Sequence, residues 1–264
     1  MSGREAPRPA ACACPQRVDE ASPEPDACAV VVAGGCGERF GDPRGKQFVE
    51  LRGLPLACWS LLAFDRAPSV GHVVVVCAPE RADQMRDEVL SRVSLRCEVS
   101  LAPAGQTRQQ SVHSGLDDVP DRFDLVAIHD AARPLVSTAS IEEVLAAVRR
   151  DSGLGGAICA THATDTLKLA EAGVIVATPD RSFYWMAQTP QAFRRRDILM
   201  AHKAAAWDGY EGTDDASLVE RRGGRVLCVQ TSRDNIKVTL PEDLAIAEAL
   251  LERRLIREGC GLGD

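Results

Sequence analysis

The chain has 264 residues, enough for between one and two domains, and carries 31 Lys and Arg against 38 Asp and Glu, a formal charge of −7. That balance excludes a nucleic-acid-coating protein working through a basic face. No apolar run approaches the roughly 18 to 20 residues needed to span a bilayer, which excludes a membrane-spanning helix.

Residues 1–26 hold five prolines and no Leu, Ile, Phe, Tyr or Trp. Such a segment cannot bury enough apolar surface to offset its ordering entropy, so it reads as a disordered tail. It lacks the apolar stretch of a secretory signal, which predicts a cytoplasmic protein. The ten cysteines include no C-x-x-C pair. In a chain long enough to build a core without staples they are expected as reduced thiols, with Cys28, Cys77, Cys159 and Cys228 set in or beside apolar runs, and no zinc site.

From Ala27 the pattern is strand, loop, helix, repeated. Ala27–Val32 is a buried strand feeding the glycine loop Ala33-Gly34-Gly35-Cys36-Gly37. A helix follows at Pro55–Asp65, a strand at His72–Cys77, a helix at Arg81–Leu90, a strand at Arg96–Leu101 and a helix at Thr107–Leu116. Leu125–His129 is a strand ending in His-Asp-Ala-Ala-Arg-Pro, and Thr138–Arg150 a helix. Ala157–Thr161 continues the sheet. Two short runs, Thr166–Leu169 and Val174–Thr178, flank Glu171-Ala172-Gly173 as a hairpin whose packing partner, own domain or second subunit, the spacing does not choose. Arg194–Ala206 and Asp214–Arg221 read as helices, Arg225–Val229 as a strand and Leu240–Arg257 as a long amphipathic helix. The alternation predicts one α/β domain over 27–257, a Rossmann-like, mostly parallel sheet flanked by helices, with the hairpin at about 162–186 and a C-terminal tail at 258–264.

In such a sheet ligands bind beyond the carboxyl ends of the strands. The first loop misses the dinucleotide pattern, because Phe40 stands at the third glycine, and misses the P-loop, because Gln47 stands where Ser or Thr would hold Mg²⁺. Backbone N–H groups with Arg39 and Lys46 nearby suit a polyphosphate. Asp130, directly after a buried strand, is a candidate ligand- or metal-binding carboxylate. His129 beside it reads as a core histidine.

Ala33-Gly34-Gly35-x-Gly37-x-Arg39 followed by Lys46-Gln47-Phe48 resembles the sugar-phosphate cytidylyltransferases, and among them the 2-C-methyl-D-erythritol 4-phosphate branch of the non-mevalonate isoprenoid route. The resemblance recurs in order at His129–Pro134, Asp165–Lys168, Thr189-Pro190-Gln191, Thr213-Asp214 and Asp234–Thr239, covering about Ala27 to Leu251. It implies that Ala33, Gly34, Gly35 and Gly37 wrap CTP, with Gly105, Arg108 and Ser111 beside the base and Asp130 at the nucleotide. Arg39, Lys46 and Lys237 are the implied catalytic cations, and Arg133, Thr166, Arg181 and Thr213 the implied contacts to a small polyol phosphate. It further implies that the hairpin at about 162–186 is a protruding arm, exchanged in a homodimer so that Thr166 and Arg181 serve the partner's site. Mg²⁺ is expected on the triphosphate and, because it leans mainly on phosphate oxygens and water, needs few protein ligands; Asp130 is the candidate.

The sequence departs from the pattern at Val32, Glu38 and Gln106-Thr107. The implied reaction is in-line attack by the sugar phosphate on the α-phosphorus of CTP; a phosphate monoester, with its second pKa near 6, needs no base at neutral pH. The alternatives are a ribitol-5-phosphate cytidylyltransferase, disfavoured by Ala131-Ala132 before Arg133, and a non-catalytic nucleotide-binding homologue, disfavoured by the cations at 39, 46, 133 and 237. A fused cyclodiphosphate synthase is not expected, since the chain ends just after its last helix.

Overall fold

Strand β1, Ala27–Val32, is buried on both faces because each of its neighbours is itself a strand and each face is covered by helices. A computed structural model of the chain describes residues 24–35, 37 and 40–257. The expected tails lie outside these residues except for 24–26, where Asp26 accepts hydrogen bonds from the Arg149 guanidinium at 2.6 and 2.9 Å.

After β1 come the two-residue strands β2 (Glu50–Leu51) and β3 (Leu54–Pro55), then α1 (Leu56–Asp65), β4 (Val70–Cys77), α2 (Ala82–Glu88), β5 (Glu98–Pro103) and α3 (Arg108–Asp117). The chain continues through β6 (Leu125–Asp130), α4 (Thr138–Arg150), β7 (Gly156–His162), β8 (Leu169–Glu171) and β9 (Val174–Ala177). It closes with β10 (Trp185–Arg194), α5 (Arg195–Trp207), α6 (Asp215–Arg221), β11 (Val226–Gln230) and α7 (Pro241–Arg257). Seven strands form the main sheet in the order β11-β7-β10-β6-β1-β4-β5. All neighbours are parallel except β10, which runs antiparallel to both β6 and β7.

Alternation along the strands divides the core in two. Ala29 and Val31 of β1 join Val73 and Val75 of β4 beneath α1 and α4, while Cys28 and Val30 join Val74 and Val76 beneath α3, with α5 and α6 completing that layer. A third cluster seats Ala247 and Leu251 of α7 against Leu51, Leu56, Leu135 and Val238. Cys28, Cys58, Cys77 and Cys159 are buried thiols within these layers, whereas Cys228 is half-buried.

Three expectations need correction. The strand β10 was not anticipated: its run Trp-Met-Ala-Gln-Thr-Pro-Gln-Ala-Phe-Arg has no Val or Ile and carries a proline, and only pairing on both sides, with Ala192 and Phe193 buried, makes it a strand. Arg194 therefore pairs with Leu125 in the sheet and the following helix starts at Arg195. The helix expected over Arg81–Leu90 is α-helical only at Ala82–Glu88, with a 3-10 turn on either side. The hairpin pairs Leu169–Glu171 with Val174–Ala177 around Ala172 and Gly173, both at positive φ, and Thr166 lies before the ladder.

Candidate active site

Four strand ends and the loops that follow them enclose a cavity of about 400 Å³, lined by Ala33, Gly34, Gly35, Lys46, Gln47, Gly105, Gln106, Thr107, Arg108, Ser111, Asp130, Ala131, Ala132 and Lys237 among others. The first wall is the loop after β1. The Ala33 N–H donates to Val76 O at 2.8 Å, keeping the chain in the sheet for one residue more. At Gly34 a Cβ would stand 2.4 Å from Cβ of Ala104, so the absence of a side chain is what lets this loop lean on the one after β5. Lys46 opens a 3-10 turn whose next two residues, Gln47 and Phe48, are buried; Phe48 anchors the turn in the core and leaves the half-buried Lys46 at the cavity. Its ammonium donates to Val238 O at 3.4 Å.

The second wall is the N-terminus of α3. Thr107 caps the helix by accepting the Gln110 N–H at 3.2 Å, while Gln110 Oε1 accepts the Gln106 N–H at 2.9 Å. The Ser111 hydroxyl accepts the Gly105 N–H at 3.0 Å and donates to Thr107 O at 2.9 Å. At Gly105 a Cβ would stand 2.4 Å from that of Gln110, so the turn into α3 requires glycine. Thr107, one of the departures from the family pattern, thus caps this turn through its side chain, while Gln106 contributes its backbone N–H.

Charge is concentrated along one line. Lys237 Nζ donates to Asp130 Oδ2 at 2.7 Å, Arg108 Nε to Asp130 Oδ1 at 3.0 Å, and Arg108 Nη1 to Asp215 Oδ2 at 2.8 Å. His202 Nε2 lies 3.1 Å from Asp215 Oδ1. Burial pushes the Asp130 carboxyl upward, but Arg108 and then Lys237 outweigh it and hold the group far below the usual carboxylate range. Asp215 is held low in the same way, against its burial, by Arg108 and His202. Both are anions, and the Arg108 guanidinium between them is fixed in its protonated form.

A second hollow of about 360 Å³ adjoins the first and shares Lys237 with it; Arg133, Thr161, His162, Thr164, Gln188 and Arg233 are among its other walls. Arg133 Nη1 donates to Asn235 O at 2.8 Å, and its Nε is buried without a hydrogen-bond partner. Buried Thr189 and His129 bond to each other and to the strand end that carries Asp130. Thr189 Oγ1 accepts the Asp130 N–H at 3.0 Å and lies 3.1 Å from His129 Nδ1; because Nε2 of that ring faces a carbonyl, Nδ1 of the neutral ring accepts and the Thr189 hydroxyl donates. His129 Nε2 then carries the ring proton, toward Arg133 O at 3.2 Å. Burial drives the His129 pKa down to about 4, so the ring is neutral and, as expected, a core histidine.

The family model for 2-C-methyl-D-erythritol 4-phosphate cytidylyltransferase (IspD) matches residues 27–253. The chain belongs to this family. The 2-C-methyl-D-erythritol 4-phosphate cytidylyltransferase of Syntrophotalea carbinolica is 42% identical over 224 residues, which is 84% of this chain and 95% of the relative. The protein of the same name in Geobacillus kaustophilus is 40% identical over 227 residues, covering 86% of this chain and 97% of its own. Among solved structures, the 2-C-methyl-D-erythritol 4-phosphate cytidylyltransferase of Thermus thermophilus matches with a TM-score of 0.68 at 30% identity over 84% of this chain and 98% of that one. The 4-diphosphocytidyl-2C-methyl-D-erythritol synthase of Anaerococcus prevotii matches with a TM-score of 0.75 at 25% identity, covering 86% and 96%.

Of the residues that the resemblance to the cytidylyltransferases singles out, Ala33, Gly34, Gly35, Lys46, Gly105, Arg108, Ser111, Asp130 and Lys237 line the first cavity and Arg133 the second. Gly37 sits at φ +69 with Lys46 N only 3.2 Å from where its Cβ would be, but it is not among the lining residues. Arg39 lies outside the described residues. Thr166, Arg181 and Thr213 are exposed and line neither hollow; Arg181 Nη1 instead donates to Thr164 O at 2.6 Å within the arm. Thr189, Asp215, His202 and Arg233 were not anticipated. Only Thr189 had a signal, through the motif Thr189-Pro190-Gln191: its Gln191 accepts the Ala216 N–H at 3.0 Å and donates to Asp214 at 2.8 Å, tying β10 to the start of α6.

Among the described residues no group of three or more His, Cys, Asp and Glu is arranged to hold a metal ion. A single carboxylate nevertheless fits an ion carried mainly by phosphate oxygens. Asp130 is ionised, and each of its oxygens keeps a lone pair beyond the one used by Arg108 or Lys237.

Proposed function

We propose that this chain transfers a cytidylyl group from CTP to 2-C-methyl-D-erythritol 4-phosphate, giving CDP-methylerythritol and pyrophosphate in isoprenoid biosynthesis. The observation that carries this reading is Lys237, among the described residues the one side chain in the walls of both hollows, within 2.7 Å of Asp130. An oxygen of the sugar phosphate forms the new bond to the α-phosphorus while the bond from that phosphorus to the β-phosphate bridging oxygen breaks, and the electron pair leaves with pyrophosphate. Two anions have to meet in line, so the chain's task is positioning and charge neutralisation. Lys46 and Arg39 serve the triphosphate and its leaving group, Lys237 the junction of the two phosphates, and Arg133 the incoming one. Ala33, Gly34, Gly35, Gly37, Gly105, Arg108 and Ser111 seat the nucleotide. Magnesium on the triphosphate, with Asp130 as its one protein carboxylate, would supply further neutralisation of the phosphate charge.

Our reading also includes a second copy of the chain. Leu169, Val174, Ile175, Val176, Phe183 and Met186 all lie on the arm or its root and are each more than half exposed, an apolar surface of the kind that partners cover. Thr166 and Arg181 share that segment, which suits delivery of both to a neighbour's sugar-phosphate hollow. No helix among the described residues is long and apolar enough to cross a membrane, and we place the enzyme in the cytoplasm.

The test is purified protein with CTP and Mg²⁺, offered methylerythritol phosphate and ribitol phosphate in parallel while pyrophosphate release is followed. Release with the first substrate alone is expected. Release with neither would refute the reading, and preference for the second would move the chain to the ribitol alternative.

A further inference from the structure

Behind the cavity, where neither hollow reaches, two buried polar residues continue the line of charge. Asp215 and His202 are 1% exposed each. Asp215 is the first residue of α6, whose cap is the adjacent Asp214, so it turns inward while its neighbour stays at the helix end. Each of its oxygens has a different donor: Oδ2 takes Arg108 Nη1 and Oδ1 faces His202 Nε2. An ionised carboxylate only accepts, so His202 carries its proton on Nε2. Its Nδ1 is buried without a hydrogen-bond partner among the described residues.

Buried ionic groups of this kind rarely exceed apolar residues of similar volume in stability. Three helices meet here, α3, α5 and α6, and apolar side chains in place of the whole ionic set could fill the same space. What the polar pair does supply is direction. With both oxygens engaged, the Asp215 carboxylate cannot rotate, and Arg108 is gripped from two sides, by Asp215 through Nη1 and by Asp130 through Nε. Three of its five N–H donors stay uncommitted among the described contacts, at a cavity Arg108 lines.

We infer that His202 and Asp215 are positioning residues that fix the orientation of Arg108 toward the bound nucleotide, an inference that rests on the CTP reading above. They touch no substrate themselves. Removing His202 frees Asp215 Oδ1, the carboxylate turns, and Arg108 loses one of its two grips.

The test compares His202→Phe, which keeps a ring, with His202→Gln, which keeps an amide donor able to reach Asp215. Two readouts are taken: the arginine Nε–H signal of Arg108 by ¹H–¹⁵N NMR, identified by its loss in Arg108→Lys, and CTP affinity by calorimetry. The inference expects a sharp, slowly exchanging Arg108 signal that is lost in His202→Phe and restored in His202→Gln. CTP binding should weaken about tenfold in His202→Phe, and show no further change when His202→Phe is added to Arg108→Ala. An unchanged Arg108 signal in His202→Phe, or an equal loss of affinity in the Arg108→Ala background, overturns it. Absence of CTP binding by the unaltered protein would refute the nucleotide reading instead, and the Arg108 signal would still decide the positioning role.

Discussion

Lys237 and Asp130, 107 residues apart in sequence, meet at 2.7 Å, and Asp130 is anchored in turn through its own N–H to Thr189 of the antiparallel strand. Asp130 therefore holds two cations, Lys237 and Arg108, that would otherwise repel each other across the cavity. Asp130→Asn keeps an acceptor but discards the charge. Because the two cationic side chains are 38% and 31% exposed, the loss should be about 2 kcal/mol, below the range for fully buried pairs. Urea unfolding checks this, and an unchanged midpoint would remove Asp130 from its central place.

Lys46→Ala should lower kcat by more than about 100-fold, the scale of a lost transition-state donor. Lys46→Arg should not be silent, since a planar guanidinium replaces a point charge. A loss under tenfold for the alanine variant would contradict its assignment.

Two neighbouring glycines should answer differently to the same methyl group. Gly34→Ala meets Ala104 at 2.4 Å and should lower the melting temperature, because the obstacle is a short side chain close to its backbone. Gly35→Ala meets nothing within 4 Å of the protein and should leave melting unchanged while weakening CTP, since Gly35 faces the cavity. Melting curves and nucleotide titration separate the two; equal behaviour would count against the loop's geometry.

If arms are exchanged, a mixture of Arg181→Ala and Lys46→Ala proteins should recover activity that neither has alone. Mixed dimers would contain one site with both residues intact. Mixing experiments that give no recovery after subunit exchange would place Arg181 in service of its own chain.

Acidification should cost stability through His129. Its pKa is lowered by burial from 6.5 to about 4, so the unfolded chain takes up its proton first as pH falls. The contribution is complete above about pH 6.5 and is lost progressively toward pH 4, on the order of 3 kcal/mol in all. His72 and His113 are also lowered, by partial burial, and add a slope of their own. The difference in urea midpoints between pH 7 and pH 5 should therefore shrink, not vanish, in His129→Gln.

The strands with continuous valine and alanine were legible because two covered faces leave no room for polar alternation: β1, β4 and β6 lie where the residues indicated. So was the loop with Lys46, whose follower Phe48 supplies the anchor. The strand β10 was hidden, for its neighbours in the sheet and not its composition make it extended. Asp215 was hidden for a different reason. Two adjacent acids at a helix start look alike in sequence, and only the phase of α6 against α3 and α5 decides that Asp214 caps while Asp215 is buried.

The contact between Gly34 and Ala104 restricts how this sequence can drift. Position 34 already has the smallest residue available, so any side chain there carries a stability cost so long as 104 retains a methyl group. Ala104→Gly would lift that cost, and a lineage taking that step first could then admit alanine at 34 more freely. Two loops seventy residues apart are in this way bound to a common evolutionary path by the space of one carbon atom.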